Sequence, residues 1–105
     1  MFLCKKKPDK QAWATLVYGA SPKNIDAESE ERLSALTTLA LTQRRRIMDD
    51  SVRIALSTKN QETRASRITL CHSLCQEMLQ FKPFCSRDQL TLLRQAEALL
   101  RKLPK

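Results

Sequence analysis

Leu33, Leu36 and Ala40, continued by Ile47, Ser51 and Ala55, hold an approximately helical period, and this predicts one long helix reaching to about residue 57. A second periodic stretch, from Gln61 to about Phe81, carries Ala65, Ile68, Cys71, Cys75 and Met78 on one stripe, widened by Leu70, Leu74 and Phe81. A third, over about residues 87–103, presents Leu92, Leu93, Ala96, Leu99, Leu100 and Leu103. Ahead of these, Trp13, Leu16 and Val17 share one face of a shorter helix over about residues 10–18, with Trp13 as its anchor to the rest of the chain.

The boundaries are written in small polar residues and in Pro. Asp9 is placed to cap the first helix and Gly19 to end it. Ser21-Pro22 is a second start signal, and Asp26, Glu28, Glu30 and Glu31 put negative charge where the dipole of the long helix favours it. Thr58 and Gln61 have the spacing of a capping box, with Asn60 as an alternative cap. Pro83 stops the next helix. Ser86 and Gln89 then form a second capping box, with Cys85 and Leu90 where a hydrophobic staple would put them, and Pro104 closes the chain's last helix.

Short connections between long helices favour antiparallel neighbours, so the expected fold is all-α: a small bundle of three main helices plus a short N-terminal helix packed across one end or side. A length of 105 residues matches one domain, and no Ser- or Gly-rich linker divides it. Residues 1–8 read as a flexible basic arm. A single Gly excludes Gly-rich phosphate loops and nucleotide-binding fingerprints, which need Gly where the backbone meets a ligand closely. No apolar run is long enough for a membrane span, and the opening segment places its Lys after a short apolar stretch, unlike a secretory leader. The expected setting is soluble and cytoplasmic.

Charge adds the first functional clue. Lys and Arg number 19 against 11 Asp and Glu, a formal net charge of +8, with the excess at the N-terminus and from Gln43 onward. Arg44, Arg45 and Arg46 are the densest cluster; Arg53, Arg64 and Arg67 lie near them if the two middle helices form a hairpin. Such a face would attract a phosphate backbone, with Lys5, Lys6 and Lys7 as an accessory arm. The alternative is a solvated surface in which Arg45 pairs with Asp49 and Arg46 with Asp50, each four residues on. Signatures of specific nucleic-acid readers are missing, since neither a helix-turn-helix nor a series of stacking aromatics is present.

Cys71 and Cys75 share a helical face, Cys85 follows the next turn, and Cys4 would complete four thiolates for a metal. The paired knuckles of structural zinc sites are absent, however, and both mid-helix thiols lie on the core stripe, so no metal is expected. No cofactor is expected either. His72, the only histidine, adjoins Cys71 but points to another face of the helix, and no acid–base constellation emerges. The expectation is a protein without enzymatic activity.

Apolar residues exceed one narrow stripe: Leu33, Leu36, Leu39, Ala40 and Leu41 crowd the long helix, as do Leu92, Leu93, Leu99, Leu100 and Leu103 the last. A surplus face of this kind serves a protein partner or self-association as a dimer. The expected function is therefore a regulatory or accessory module that docks on a protein through a helical face, with Arg44, Arg45, Arg46, Arg53, Arg64 and Arg67 steering the encounter and fixing its orientation. The alternative is a nucleic-acid-binding accessory protein using Arg44, Arg45, Arg46, Arg53, Arg64 and Arg67 against phosphate.

Overall fold

A computed structural model describes residues 10–19 and 27–104. Among these the chain forms α1 (Lys10–Tyr18), α2 (Ala27–Ser57), α3 (Gln61–Leu79), a 3-10 turn over Lys82–Phe84, and α4 (Arg87–Arg101), with no strand. The proposed caps Asp9 and Ser21, the basic arm and Cys4 lie outside the described residues.

α2 is the spine. Its 31 residues rise about 46 Å at 1.5 Å each, and α1, α3 and α4 all pack on it. α3 runs antiparallel to α2, as three links down their length require: Arg64 with Ala55, Cys71 with Met48, and Glu77 with Arg44. The 3-10 turn reverses the chain, so α4 runs parallel to α2, from Gln89 beside Ser34 to Lys102 beside Arg45. α1 also runs along the N-terminal half of α2, with Lys10 at Glu30 and Trp13 at Thr37.

The core is Leu41, Met48 and Val52 of α2, Cys71, Cys75 and Met78 of α3, Phe81, and Leu93, Ala96 and Leu99 of α4. Fully burying a Leu or Met contributes about 1.5–3 kcal/mol, which makes this interior the main source of stability. The spine's buried side is Leu33, Thr37, Leu41, Met48, Ser51, Val52 and Ala55; Leu33, Ser51 and Ala55 hold to the expected stripe, which is rotated between them. Ile47 is 45% exposed instead of buried, and Leu36 and Ala40 sit at its margin. Thr37 takes a core position because its hydroxyl is satisfied twice: it accepts from Trp13 Nε1 at 2.8 Å and donates to the Leu33 carbonyl at 2.7 Å. Trp13 also stacks flat on Phe84 of the 3-10 turn, with ring centroids 5.6 Å apart.

The structure chooses between the two caps offered for α3 and shortens its far end. Asn60, rather than Thr58, caps α3: its Oδ1 accepts from the amides of Glu62 and Thr63, while Thr58 Oγ1 accepts from the Asn60 amide. α3 stops at Leu79, two residues before Phe81, because Pro83 enforces the tighter turn; Ala65 lies exposed off its stripe. The capping box at the start of α4 forms as the spacing predicts, with Ser86 Oγ accepting from the Gln89 amide and Gln89 Oε1 accepting from the Ser86 amide.

Candidate functional site

Successive residues on a helix are rotated by about 100°, so Arg44, Arg45 and Arg46 point three ways from α2. Arg44 turns to α3, where Nε donates to Glu77 at 3.0 Å and Nη1 to the Ala40 carbonyl at 3.2 Å. Arg45 turns to α4. Arg46 faces solvent with no ion pair among the described residues.

Arg53 takes both neighbouring carboxylates, lying 2.6 Å from Asp50 and 3.4 Å from Asp49. The Arg45–Asp49 and Arg46–Asp50 pairs expected from spacing therefore do not form. An acid preceding a base by four residues is the better helical order, and Asp49 to Arg53 has that order where Arg45 to Asp49 does not. Arg64 is a cap: its Nε donates to the Ala55 carbonyl at 3.2 Å and its Nη2 to that of Thr58 at 2.7 Å, closing the C-terminal end of α2. Arg67 is half-buried near Cys71. The six arginines are thus spread around the α2–α3 hairpin, three of them tied internally. Lys5, Lys6 and Lys7 lie outside the described residues.

The three thiols among the described residues are free, and burial favours their protonated form. Burial pushes Cys71, Cys75 and Cys85 upward; Arg67 opposes this at Cys71, and Glu97 adds to it at Cys75. Cys71 Sγ donates to the Met48 carbonyl and Cys85 Sγ to that of Phe81. Among the described residues no three His, Cys, Asp or Glu side chains gather as a metal site. Cys71 and Cys75 act as small core residues.

The apolar surplus of the long helix divides between two faces. Leu33 and Leu41 enter the core, whereas Leu36, Leu39 and Ala40 line a groove of about 350 Å³ closed on its other side by Leu16, Val17 and Tyr18 of α1. Phe81 forms its floor at the end of α3, and Gln43 and Arg44 its rim. Leu39 is 51% exposed and Tyr18 49%, with Ile47 one turn beyond Gln43. Tyr18 was not singled out by the sequence, and Ile47 was assigned to the core stripe instead of this surface. The signal was present for Ile47, since Leu36, Leu39, Gln43 and Ile47 follow one helical stripe, but the polar Thr37 disguised which stripe was the core.

A second concavity, about 360 Å³, lies between α2 and α4 and is lined by Arg45, Gln95, Ala98, Leu99 and Lys102. Arg45 Nε itself is buried without an acceptor among the described residues.

Among the described residues no helix is long and apolar enough to cross a membrane. In comparisons with known proteins, no family model, curated protein or solved structure matches the chain.

Proposed function

We propose that the chain is a non-enzymatic interaction module whose α1–α2 groove receives an amphipathic, acidic helix from a protein partner. The observation that carries this reading is the strip of half-exposed Tyr18, Leu39 and Ile47 around a groove walled by Leu16, Val17 and Leu36. Side chains left in water there forgo about 25 cal/mol for each Å² that a partner would cover. A helix laid along the groove would present apolar residues at the i, i+3, i+4, i+7 spacing typical of such docking.

The net charge of +8 selects the partner's sign. It steers an acidic surface toward the groove and disfavours a second copy of this chain, which would bring the same positive charge. Arg46 is the uncommitted cation nearest this face along α2, and Arg44 stands at the rim. A regulatory or accessory role follows, in which occupancy of the partner is the output. The free buried thiols support a reducing, cytoplasmic setting. Phosphate-backbone binding through Arg44, Arg45, Arg46, Arg53, Arg64 and Arg67 is the second reading; it is less favoured because Arg44, Arg53 and Arg64 already hold internal acceptors.

The test is selection of helical peptides from a random library on the wild-type protein, with the Leu39→Glu variant as counter-screen. The expected binders carry an apolar face with acidic flanks and lose roughly tenfold or more in affinity, about 1.4 kcal/mol, toward Leu39→Glu. Binders indifferent to Leu39→Glu would overturn the reading. Titration of labelled duplex DNA and structured RNA at two salt concentrations addresses the second reading: affinity falling steeply with salt and abolished by replacing Arg44, Arg45 and Arg46 together would favour it.

A further inference from the structure

We infer that the outer face of α4 is a docking surface for the phosphate backbone of B-form duplex DNA, separate from the α1–α2 groove and independent of the docking reading. Arg87, Arg94 and Arg101 stand seven residues apart, with Thr91 and Ala98 between them on the same ridge, and all five are exposed. The opposite side of α4, with Gln89, Leu93, Ala96 and Leu99, is the one buried against the bundle. At 1.5 Å a residue, the three arginines are spaced about 10.5 Å apart over about 21 Å of helix. Among the described residues none of the three has an ion pair. The two carboxylates of α4 leave the ridge itself free. Exposed Asp88 lies on one flank, about 100° round from Arg87. Half-buried Glu97 lies on the other, towards Cys75 of α3, and shares a concavity with Arg94 and Lys82 without an ion pair to either.

The composition of this face selects the partner. Large apolar side chains left exposed are Tyr18, Leu39, Ile47, Leu56 and Leu79, none of them on α4, so a protein partner finds no anchor here and a lipid surface nothing to insert. No aromatic offers a platform for the bases of a single strand. Isolated surface ion pairs contribute little, whereas a polyanion releases a counterion for each phosphate that is neutralised, and a row of arginines then suffices without an apolar anchor. A duplex carries about twelve phosphates in 21 Å of its axis, so each arginine meets one at its own spacing. Arg87 is the first residue of α4, where the positive end of the helix dipole disfavours a cation and favours an anion; a phosphate placed there satisfies both. The major groove of B-form DNA, about 12 Å wide, accepts a helical ridge, which the narrow groove of A-form RNA does not. Thr91 and Ala98 are short enough to let the ridge seat while the arginines reach the bordering phosphates, and such contacts carry no sequence preference.

The test is fluorescence anisotropy of a labelled, mixed-sequence DNA duplex of about 20 base pairs titrated with the full chain at two salt concentrations. The expected result is saturable binding whose log affinity falls against log salt with a slope of about −2.7, one contact for each arginine. The combined Arg87→Gln, Arg94→Gln, Arg101→Gln variant binds roughly tenfold or more weakly, with a slope shallower by about 2 or more. Ala98→Glu, a single carboxylate set between Arg94 and Arg101, weakens binding likewise and exchanges one good helix former for another on an exposed position, so the fold is kept. A charge-matched variant, Arg46→Gln, Arg53→Gln, Lys59→Gln, removes three exposed cations from α2 and the turn after it and loses no more than about twofold, because charges beyond the screening length contribute little. Duplex RNA of the same length binds more weakly than DNA. Absence of saturable binding, an equal loss in the charge-matched variant, equal affinity for duplex RNA, or binding of the α4 face to phosphatidylserine vesicles in place of DNA would each overturn the assignment.

Discussion

Gln89 is the residue whose replacement tests the packing argument most directly. It is only 3% exposed, yet it is polar, and its amide group is used at both ends. Nε2 donates to Thr38 Oγ1 at 2.8 Å and to the Ser34 carbonyl at 2.9 Å, while Oε1 accepts from the Ser86 amide at 2.8 Å. One side chain therefore starts α4 and fastens it to the spine. Gln89→Leu keeps an apolar stem of similar length but removes these three bonds, together with a longer one from Nε2 to Ser34 Oγ at 3.3 Å, and leaves the Ser34 carbonyl and the Ser86 amide to find other partners. At about 0.5–1.5 kcal/mol net for each bond, with a further penalty for groups left buried, the loss is about 2–4 kcal/mol. For a domain with a total stability of roughly 5–15 kcal/mol this is a large fraction, readable as a lowered midpoint in urea and a drop in Tm of about 10–20 °C. Ser86→Ala is the necessary comparison, because it breaks only the cap and costs about 1 kcal/mol. If Gln89→Leu costs no more than Ser86→Ala in urea denaturation, the tether to α2 contributes nothing and the reasoning fails.

Two further outcomes follow from the same contacts. Arg64→Ala removes the cap on α2 and is expected to cost about 1–2 kcal/mol in urea denaturation, since its bonds are charge-assisted but partly solvated; Arg64→Lys recovers only part of this, as an ammonium lacks the fork that reaches both carbonyls. The buried thiols set an alkaline limit: with folded pKa values of Cys71, Cys75 and Cys85 raised above their unfolded ones, the stability they contribute is whole below the unfolded thiol pKa and declines as pH rises through the folded values. Urea midpoints across this alkaline window should therefore fall, and fall less in a Cys71→Ala, Cys75→Ala, Cys85→Ala variant measured against its own neutral-pH value.

What could be read from the sequence was local. The start of α4 was legible because Ser86 and Gln89 satisfy each other within four residues, and the all-α bundle followed from periodicity and the shortage of Gly. The face of α2 was legible only at its ends, at Leu33, Ser51 and Ala55, because its buried stripe also includes Thr37, whose hydroxyl becomes acceptable in the core through Trp13, 24 residues away. The partners of Arg44 and Arg64 were hidden for the same reason. Nothing in the spacing of Arg64 announces that it reaches back across the turn to close α2, or that Arg44 meets Glu77 on the next helix. Apolar period reports which residues want to be inside, whereas the assignment of each cation depends on which acceptors the fold brings within reach.

The arrangement of helices around one spine also sets an order of assembly. Only Thr58, Lys59 and Asn60 separate α2 from α3, so closing that hairpin costs little chain entropy and its contacts are rewarded early. The link from Gln89 to Ser34 spans 55 residues and is worth making only once α2 and α3 present a formed surface. Folding is then expected to nucleate in the hairpin and to finish with the docking of α4, so that substitutions at Met48 or Cys71 slow folding while those at Gln89 chiefly speed unfolding.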